Sequence, residues 1–414
     1  MENIEPIWIL LGTIAWLVVW GTLGSIRTPN VYRHKNLNPE GARVVGILAG
    51  MLGGPILLIP LWYFTPEVST RYTAVLALLL AIVLYRVFAL YDPDNLCVTS
   101  YNYVINQTAN GLQIGFIYAL MAVGLTLIYG IQGVISFAHG QHYMIGGFLS
   151  FFFLKWMADS AGVPVSPLWG ILVAGVGTAI LGFIFEPLFL RPMHLGKIER
   201  PGEYAILVTF GLAFLLENTT LSIVGPFPQK AAGYLPEIGI ITLGPWLLGG
   251  LELGPLRLVA DRLIAAGASV ILIGALLLFL NRTWVGRALR AVSMDKQAAA
   301  VAGVNPLNMN TLAFGIGTML AGMSGATLVP IFSWVPWIGA EAAGRSFVII
   351  VLGGLGSVPG ALLGGLIIGL VEAMGTACFP DPSRGLAYKA AFGLVIFALM
   401  LLFRPTGLFG RKES

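Results

Sequence analysis

Charged residues are scarce in this sequence of 414 residues, where they make up 10% of the chain. A soluble domain ordinarily carries about 25% charged residues. Hydrophobic residues make up 57%, which is more than one water-soluble core hides. The composition therefore excludes an ordinary soluble globule and predicts an all-α polytopic membrane protein. The net charge of +4 is small for the length, and the basic residues fall in short clusters, which argues against nucleic-acid binding.

Cysteines and catalytic motifs are also scarce. The 2 cysteines, Cys97 and Cys378, lie far apart, so the sequence indicates neither a disulfide framework nor the ligand spacing of a metal site. The pattern G-x-x-x-x-G-K-[ST] is missing, so the chain cannot cradle ATP phosphates by itself, and neither H-E-x-x-H nor G-x-S-x-G occurs.

Long apolar segments recur along the chain, and a helix needs about 20 such residues to cross a bilayer. They predict about 11 spans, including two broken or re-entrant elements, at 7–24, 43–63, 72–90, 106–130, 133–157, 167–190, 203–225, 257–280, 309–331, 344–375 and 385–403. The first span is retained and not cleaved as a signal peptide, because its leading charges are acidic and Arg27 follows the apolar run. We assign residues 1–100 to an N-terminal extension with three spans and residues 101–414 to the core.

Basic clusters predict the orientation, because lysine and arginine collect in cytoplasmic loops. Four clusters, within 27–43, 191–200, 282–296 and 404–412, are all placed in the cytoplasm. This places the N-terminus outside and the C-terminus inside. Span 106–130 then runs outward, so 131–157 must leave from the outer side and return to it. By the same reasoning, segment 344–375 must enter the membrane from the outer side and return to that side.

The two odd segments are interrupted at SFAHG (136–140) and GLGSVPG (354–360). Non-helical backbone at membrane depth is tolerated only where protein or a water-filled cavity satisfies its polar groups. Interrupted segments at matching positions in two halves indicate a transport site. The segments GFIYALMAVGLTL (115–127) and GTMLAGMSGATL (317–328) are also weakly alike, as duplicated halves would be.

Polar side chains at these breaks and inside the spans are candidates for a substrate path. His139 and Gln141 offer donors and acceptors suited to a zwitterion or an amide, although a buried histidine is as often a satisfied core residue. An intramembrane carboxylate such as Glu217 indicates a functional site, unless it merely pairs with Arg345 or the backbone. Glu372 is expected near an interface in a structural role. The candidate path comprises Tyr118, Ser136, Phe137, His139, Gln141, His142, Glu217, Asn218 and Ser357.

The segment RTWVGRALRAVSMDKQAAAVAGVNP (282–306) is the longest stretch predicted to lie in the cytoplasm within the core. Alanine and charge at helical spacing predict a short surface helix that stops at Gly303 and Pro306. The segment is either an ordinary solvated loop or the place where a soluble partner docks.

Several segments resemble the permease subunits of the branched-chain amino acid type of ABC importer. They are NGLQIGFIYALMAVGLTLIYGIQGVISFAHGQHYMIGG (110–147), VGRALRAVSMDKQAAAVAGVN (285–305), VLGGLGSVPGALLGGLIIGLVEA (351–373) and LLFRPTGLFGRK (401–412). The resemblance covers about 105–412 and leaves out the first hundred residues. It implies a bacterial inner-membrane protein that pairs with a second, identical or homologous permease. It also implies an external solute-binding protein and two cytoplasmic ATPase subunits that bind and hydrolyse the ATP. The chain itself is then expected to be a non-catalytic subunit, not an enzyme, with no cofactor of its own.

Carried over residue by residue, the resemblance assigns ATPase coupling to Gly286, Arg287, Arg290, Ala291, Asp295, Lys296, Ala299 and Gly303. The family's F-A-H-G-[E] element falls on 137–141, where this sequence departs by having Gln141. The solute implied is a branched-chain amino acid or a related small polar molecule, such as urea, an amide or an aromatic acid.

Two other functions stay open at this point. An ATP-independent secondary transporter or channel would need its own ion-coupling carboxylate, for which Glu217 is the deep candidate. An intramembrane enzyme using Ser324 or His139 would lack a nucleophile–base pair.

Overall fold

The computed structural model describes residues 96–403 with short gaps, residues 406–410, and parts of 19–49. The gaps are 163–164, 235–238, 244–245, 249–250, 254–255 and 380–381, and the early parts are 19–29, 31–32, 46–47 and 49. The chain divides into two compact units, Met1–Asn95 and Leu96–Ser414. In the first unit residues 19–29 are helical. The three spans predicted there lie mostly outside the described residues.

The second unit is built mainly from helices, which confirms the all-α polytopic fold. They are α1 (Leu96–Thr99), α2 (Tyr101–Gln132), α3 (His139–Ala161), α4 (Pro167–Phe185), a π-helical turn (Glu186–Leu190), α5 (Arg191–His194), α6 (Pro201–Val224), α7 (Ala260–Arg282), α8 (Trp284–Met294), α9 (Lys296–Val301), α10 (Pro306–Leu328), α11 (Ile338–Gly353), α12 (Val358–Ala377), α13 (Pro382–Ala387) and α14 (Lys389–Phe403). In the described part of the chain, 6 helices are long and apolar enough to cross a membrane. The total of eleven spans stays a prediction.

Local sequence determines where many of these helices begin. Ser100, Ser166, Asn305 and Ser357 each precede a helix, and each side chain accepts a hydrogen bond from a backbone N–H of the first turn. In the last three helices a proline is the first or second residue. Its missing N–H costs nothing there, because the first N–H groups of a helix have no partner within the helix. These caps explain why helices begin at residues that the apolar pattern only approximates.

A short β-structure separates α6 from α7. Strand β1 (Ile240–Leu243) pairs antiparallel with β4 (Leu256–Val259), and β2 (Trp246–Leu248) pairs with β3 (Leu251–Leu253). The second pair is nested within the first in the sequence, and each pair is a two-stranded sheet. The backbone N–H of Arg257 donates to Asn106 Oδ1 at 2.6 Å, which attaches β4 near the start of α2.

The core consists of two halves that have the same order of helices, and the long helices that begin them run in opposite directions. In each half a long helix is followed by a non-helical segment and two more helices: α2, 133–138, α3 and α4 in the first, and α10, 329–337, α11 and α12 in the second. The long helices pack against each other antiparallel, with Gly124 against Gly317 and the Ser324 hydroxyl donating to the Ile117 carbonyl. Each long helix also packs on the last helix of the other half. The weakly alike segments 115–127 and 317–328 lie in these two long helices, and their origin by duplication stays a prediction.

Small residues allow α2 and α12 to approach closely. Every fourth residue at the contact is small, in the order Gly111, Gly115 and Ala119 on α2, and Gly365, Gly369 and Ala373 on α12. A Cβ atom on Gly369 would lie 2.4 Å from the Gly115 Cα, so neither position leaves room for a side chain. Spacing of this kind is typical of helices that associate tightly in membranes.

A disulfide lies beside the same pair of helices. Cys97 in α1 and Cys378, which directly follows α12, are bonded, with Cα atoms 5.4 Å apart across 281 residues of sequence. The expectation that these cysteines do not form a disulfide was therefore wrong. Their sequence separation gave no information, because the antiparallel packing of α2 on α12 brings them together. We call this end of the bundle the disulfide end, and the end that carries 282–306 the loop end.

The prediction that span 106–130 and segment 282–306 end on opposite sides of the membrane was also wrong. Helix α2 begins beside the disulfide and ends at Gln132, whose carbonyl accepts from Lys296 Nζ at 3.2 Å. The end of span 106–130 and the segment 282–306 therefore share one end of the bundle and do not lie at opposite ends.

The two interrupted elements differ from each other in form. Segment 133–138 leaves the loop end, and α3 then runs toward the disulfide end, so 131–157 does not leave from one end and return to it. Helices α11 and α12 form a hairpin that enters and returns, as predicted for 344–375. Its turn contains Gly354 and Gly356 with φ of 100° and 80°, a backbone conformation that favours glycine.

Candidate substrate path and coupling segment

The first turns of α3 and α11 meet inside the bundle. A Cβ atom on Gly140 would lie 2.0 Å from the Gly339 carbonyl oxygen, so the two backbones touch there. The His139 Nε2–H donates to the carbonyl of Met121 at 3.0 Å, which places this contact about three turns from the end of α2. Helix N-termini carry partial positive charge.

Both histidines of the first break are fully buried and bound to backbone. His142 Nδ1–H donates to the Ala138 carbonyl at 2.8 Å, and its ring lies edge-on to Phe185 and Phe314. These contacts give His139 and His142 a packing role. That either one lines the substrate path stays a prediction.

Gln141 connects the break to α6. Its Nε2 donates to Glu217 Oε2 at 3.0 Å, although the residue is only 2% exposed. Its Oε1 lies against Gly339 and has no hydrogen-bond partner in the described part of the chain. The structure therefore pairs Glu217 with Gln141, whereas sequence reasoning offered Arg345 as its alternative partner.

Helix α6 contacts the break through apolar residues as well. The backbone N–H of Phe137 donates to Thr209 Oγ1 at 3.3 Å, and the Phe137 and Phe210 rings meet edge-to-face with centroids 6.0 Å apart. Ser136 beside them is buried. The structure thus groups the predicted path residues of 136–142 with Glu217.

Two predicted path residues lie apart from this group. Asn218 is exposed, binds the Phe214 carbonyl, and lines a groove of about 510 Å³ on the outer face of α6. Ser357 lies at the loop end, where its hydroxyl accepts from the Gly360 N–H and caps α12. Their roles on the path stay predictions.

A second polar group lies where α2, α11, α12 and α14 meet. The Glu372 side chain is 3% exposed and binds Arg345 Nε at 3.2 Å and Lys389 Nζ at 3.6 Å. The Tyr118 hydroxyl donates to Glu372 Oε2 at 3.2 Å, and Arg345 also binds Glu341. We call these five residues the charge cluster.

Sequence reasoning found the charge cluster only in part. Tyr118 was assigned to the path, Glu372 was expected near an interface, and Glu341 and Lys389 were missed. Glu341 and Arg345 stand at i and i+4 in an otherwise apolar helix, and this spacing was the signal that could have found them.

The coupling segment 282–306 forms two short helices, α8 and α9. Thr283 caps α8 by accepting from the Gly286 N–H, and Asp295 caps α9 by accepting from the N–H groups of Gln297 and Ala298. Gly286 lies against the backbone of Leu280, where a Cβ atom would be 2.5 Å from its Cα. The predicted surface helix is thus present, with a break at Asp295.

One face of this segment packs on the core and the other is exposed. The buried residues are Gly286, Ala288, Leu289, Val292 and Ala299. Arg287 and Arg290 are exposed, and Arg290 Nη1 donates to Asn281 Oδ1 at 2.9 Å. Partial burial lowers the pKa of the Lys296 amine from its ordinary value. Gly303, with φ of 85°, follows α9, and Pro306 begins α10.

A polytopic bundle of two inverted halves, with helix N-termini meeting inside it and an amphipathic segment outside the spans, is the architecture of a membrane permease. The described residues contain no group of three His, Cys, Asp or Glu side chains that could hold a metal ion.

Comparison with known proteins names the family. Residues 107–403 match the family model described as "Branched-chain amino acid transport system / permease component", and the chain belongs to this family. It is therefore a permease subunit of an ABC importer, a non-catalytic, multi-pass protein of the inner membrane. No solved structure matches the chain.

Individual relatives are also named as permease proteins of branched-chain amino acid transport systems. The chain is 34% identical to the high-affinity branched-chain amino acid transport system permease protein BraD of Pseudomonas aeruginosa, over 76% of this chain and 97% of the relative. It is 31% identical to LivH of Escherichia coli K12, over 75% and 97%. It is 28% identical to LivM of the same organism, over 70% of this chain and 67% of LivM.

Proposed function

We propose that this permease moves a branched-chain amino acid or a related small polar solute. The observation that carries the proposal is the meeting of the α3 and α11 N-termini at Gly140 and Gly339, next to Gln141 and Glu217. Backbone N–H groups at two helix starts suit the carboxylate of an amino acid. The names of the relatives support the same class of solute.

We also propose the composition of the complete transporter. Membership of the family implies ATPase and substrate-binding partners. We infer two ATPases, one external binding protein, and a second permease that is identical or homologous. The existence of the related pair LivH and LivM in one organism supports pairing with a homologue.

The loop end is proposed to face the cytoplasm. Two independent features support this orientation. The basic clusters that follow α4 and α7 are both connected to the loop end, as expected for cytoplasmic loops. The Cys97–Cys378 disulfide lies at the opposite end, and disulfides persist in the oxidising periplasm. An outside N-terminus stays a prediction that falls outside the described residues.

The coupling segment is proposed to transmit the ATPase movement to the bundle. Its exposed side carries apolar side chains outside the spans, with Met294 72% and Val301 91% exposed. Such side chains are typical of a surface that a protein partner covers. ATP can change the state of the permease only if the ATPases bind the two states with different affinity.

A charge placed in this contact tests the coupling role. We expect Val301→Glu to lower ATP-driven uptake at least about tenfold, because a carboxylate buried in an apolar contact costs several kcal/mol. The variant should still insert in the membrane, and Val301→Leu should transport normally. Leu195→Glu, at an exposed apolar position of another loop at the same end, is the matched control.

The assay is uptake of labelled leucine by proteoliposomes that contain the permease, its ATPases and its binding protein. Normal uptake by Val301→Glu would refute the coupling role. Uptake that persists without any ATPase would instead favour the secondary transporter or channel.

A further inference from the structure

The charge cluster lies among the membrane-spanning helices, between the middle of α2 and the disulfide end of the bundle. The Arg345 guanidinium carbon is 5.3 Å from the centroid of the Tyr118 ring, and Tyr118 is close to the middle of the 32-residue helix α2. Glu372 lies on α12 beside the same part of α2. Charged side chains at such depth face the bundle interior, a partner or a water-filled cavity, because exposure to lipid is costly.

One side of the charge cluster is open. The Glu341 side chain is 56% exposed and that of Arg345 is 20% exposed, whereas Glu372 is 3% exposed. A Cβ atom on Gly344, between the first two, would have nothing within 4 Å. The α11 face that carries Glu341 and Arg345 is therefore not covered by the rest of the described chain, and its charge makes contact with lipid unfavourable.

The charge cluster is suited to a zwitterionic solute, which carries one positive and one negative charge. It contains two carboxylates and two cationic groups, so it is balanced overall. Arg345 uses its Nε and Nη2 to bind Glu372 and Glu341, and a guanidinium has five N–H donors, which leaves donors for a third carboxylate. Glu341, the most exposed member, is held mainly by an i,i+4 ion pair, which is weak at an exposed site.

We propose that Glu341 and Arg345 line the water-filled translocation pathway and bind the ammonium and the carboxylate of a passing zwitterionic amino acid. Glu372, Lys389 and Tyr118 hold Arg345 in position. The pathway would continue from Gly339, at the start of the same helix, where the α3 and α11 N-termini meet. This inference rests on the proposed function, since it names the groups that recognise the solute.

Labelling of a single cysteine tests whether water reaches the α11 face that carries Glu341 and Arg345. Both natural cysteines are bonded to each other, so Glu341→Cys adds a unique free thiol to the full chain. A charged, water-soluble thiol reagent is added to the assembled transporter in membranes. We expect Glu341→Cys to react at least about tenfold faster than a lipid-facing thiol, because a thiol ionises only where water reaches it. Saturating leucine should slow the reaction.

Two variants with single cysteines calibrate the labelling. Leu215→Cys, on the outer face of α6, gives the rate for a lipid-facing position, and Leu195→Cys, in the loop that follows α5, gives the rate for a water-exposed one. If Glu341→Cys reacts no faster than Leu215→Cys, the face is sealed by lipid or by a partner subunit, and the inference is overturned.

Uptake measurements test recognition of the solute. We expect Glu341→Gln to lower uptake of leucine at saturating solute about tenfold, since it removes a charge-assisted hydrogen bond to the ammonium. Glu341→Asp, which keeps the charge, should retain most of the uptake. Both variants should still insert in the membrane and assemble with the ATPases, which shows that a loss of uptake is not a loss of the complex.

The proposed function and this inference fail in different ways. If the unmodified transporter does not take up amino acids, the proposed function is wrong. If it does, but Glu341→Gln transports leucine at the normal rate, only the recognition role of Glu341 is wrong.

Discussion

Replacement of Gly369 by alanine is the sharpest test of the helix packing. The new Cβ atom would lie 2.4 Å from the Gly115 Cα and 2.6 Å from the Gly111 carbonyl oxygen. Ordinary contacts between carbon atoms begin near 3.5 Å, so α2 and α12 must move apart by about 1 Å. Overpacking of this size costs about 1–3 kcal/mol. We expect Gly369→Ala to lower the free energy of unfolding by that amount.

The matched control is Gly274→Ala on α7, where a Cβ atom would have nothing within 4 Å. Alanine there should stabilise the protein by about 0.5–1 kcal/mol, because it restricts the unfolded backbone. Unfolding is measured in mixed micelles titrated with a denaturing detergent, with the disulfide intact in both variants. If the two substitutions change the unfolding free energy equally, the close approach of α2 and α12 is wrong.

Two further predictions concern single contacts. The denatured but unreduced protein should react with no thiol reagent, and a free thiol before reduction would contradict the disulfide. Reduction should expose the thiols of Cys97 and Cys378 and lower the unfolding free energy by about 2–5 kcal/mol. Gln141→Glu should destabilise the protein by placing two carboxylates together, and adding Glu217→Gln should restore stability, with a coupling energy of about 0.5–3 kcal/mol. Additive effects of the two substitutions would show that the side chains do not touch.

Sequence patterns predicted the helices well because helix formation in a membrane is a local matter. A long apolar run must satisfy its own backbone hydrogen bonds, so its length and composition suffice to identify it. The spans predicted at 167–190 and 309–331 match α4 and α10 closely. The break near SFAHG and the helical coupling segment were also predicted, from glycine and from alanine with charge.

The site was predicted less completely. His139, Gln141 and Glu217 were selected because polar groups at depth are rare, and the structure groups them at one place. Glu341 and Lys389 were missed, because each looks like an ordinary charge near the end of an apolar segment. Only the packing of α11 against α12 and α14 shows that they share the buried carboxylate of Glu372 with Arg345.

The sequence by itself determined the class of protein, the existence of its helices and the caps at which several begin, since each depends on residues a few positions apart. Only the tertiary structure decided the direction of α2, the pairing of the two halves, the disulfide and the charge cluster. These depend on which helices touch, and the 53 glycines of the chain allow many close helix contacts without specifying a partner. The choice among them is made by the packing of whole helices, to which residues as distant as Cys97 and Cys378 both contribute.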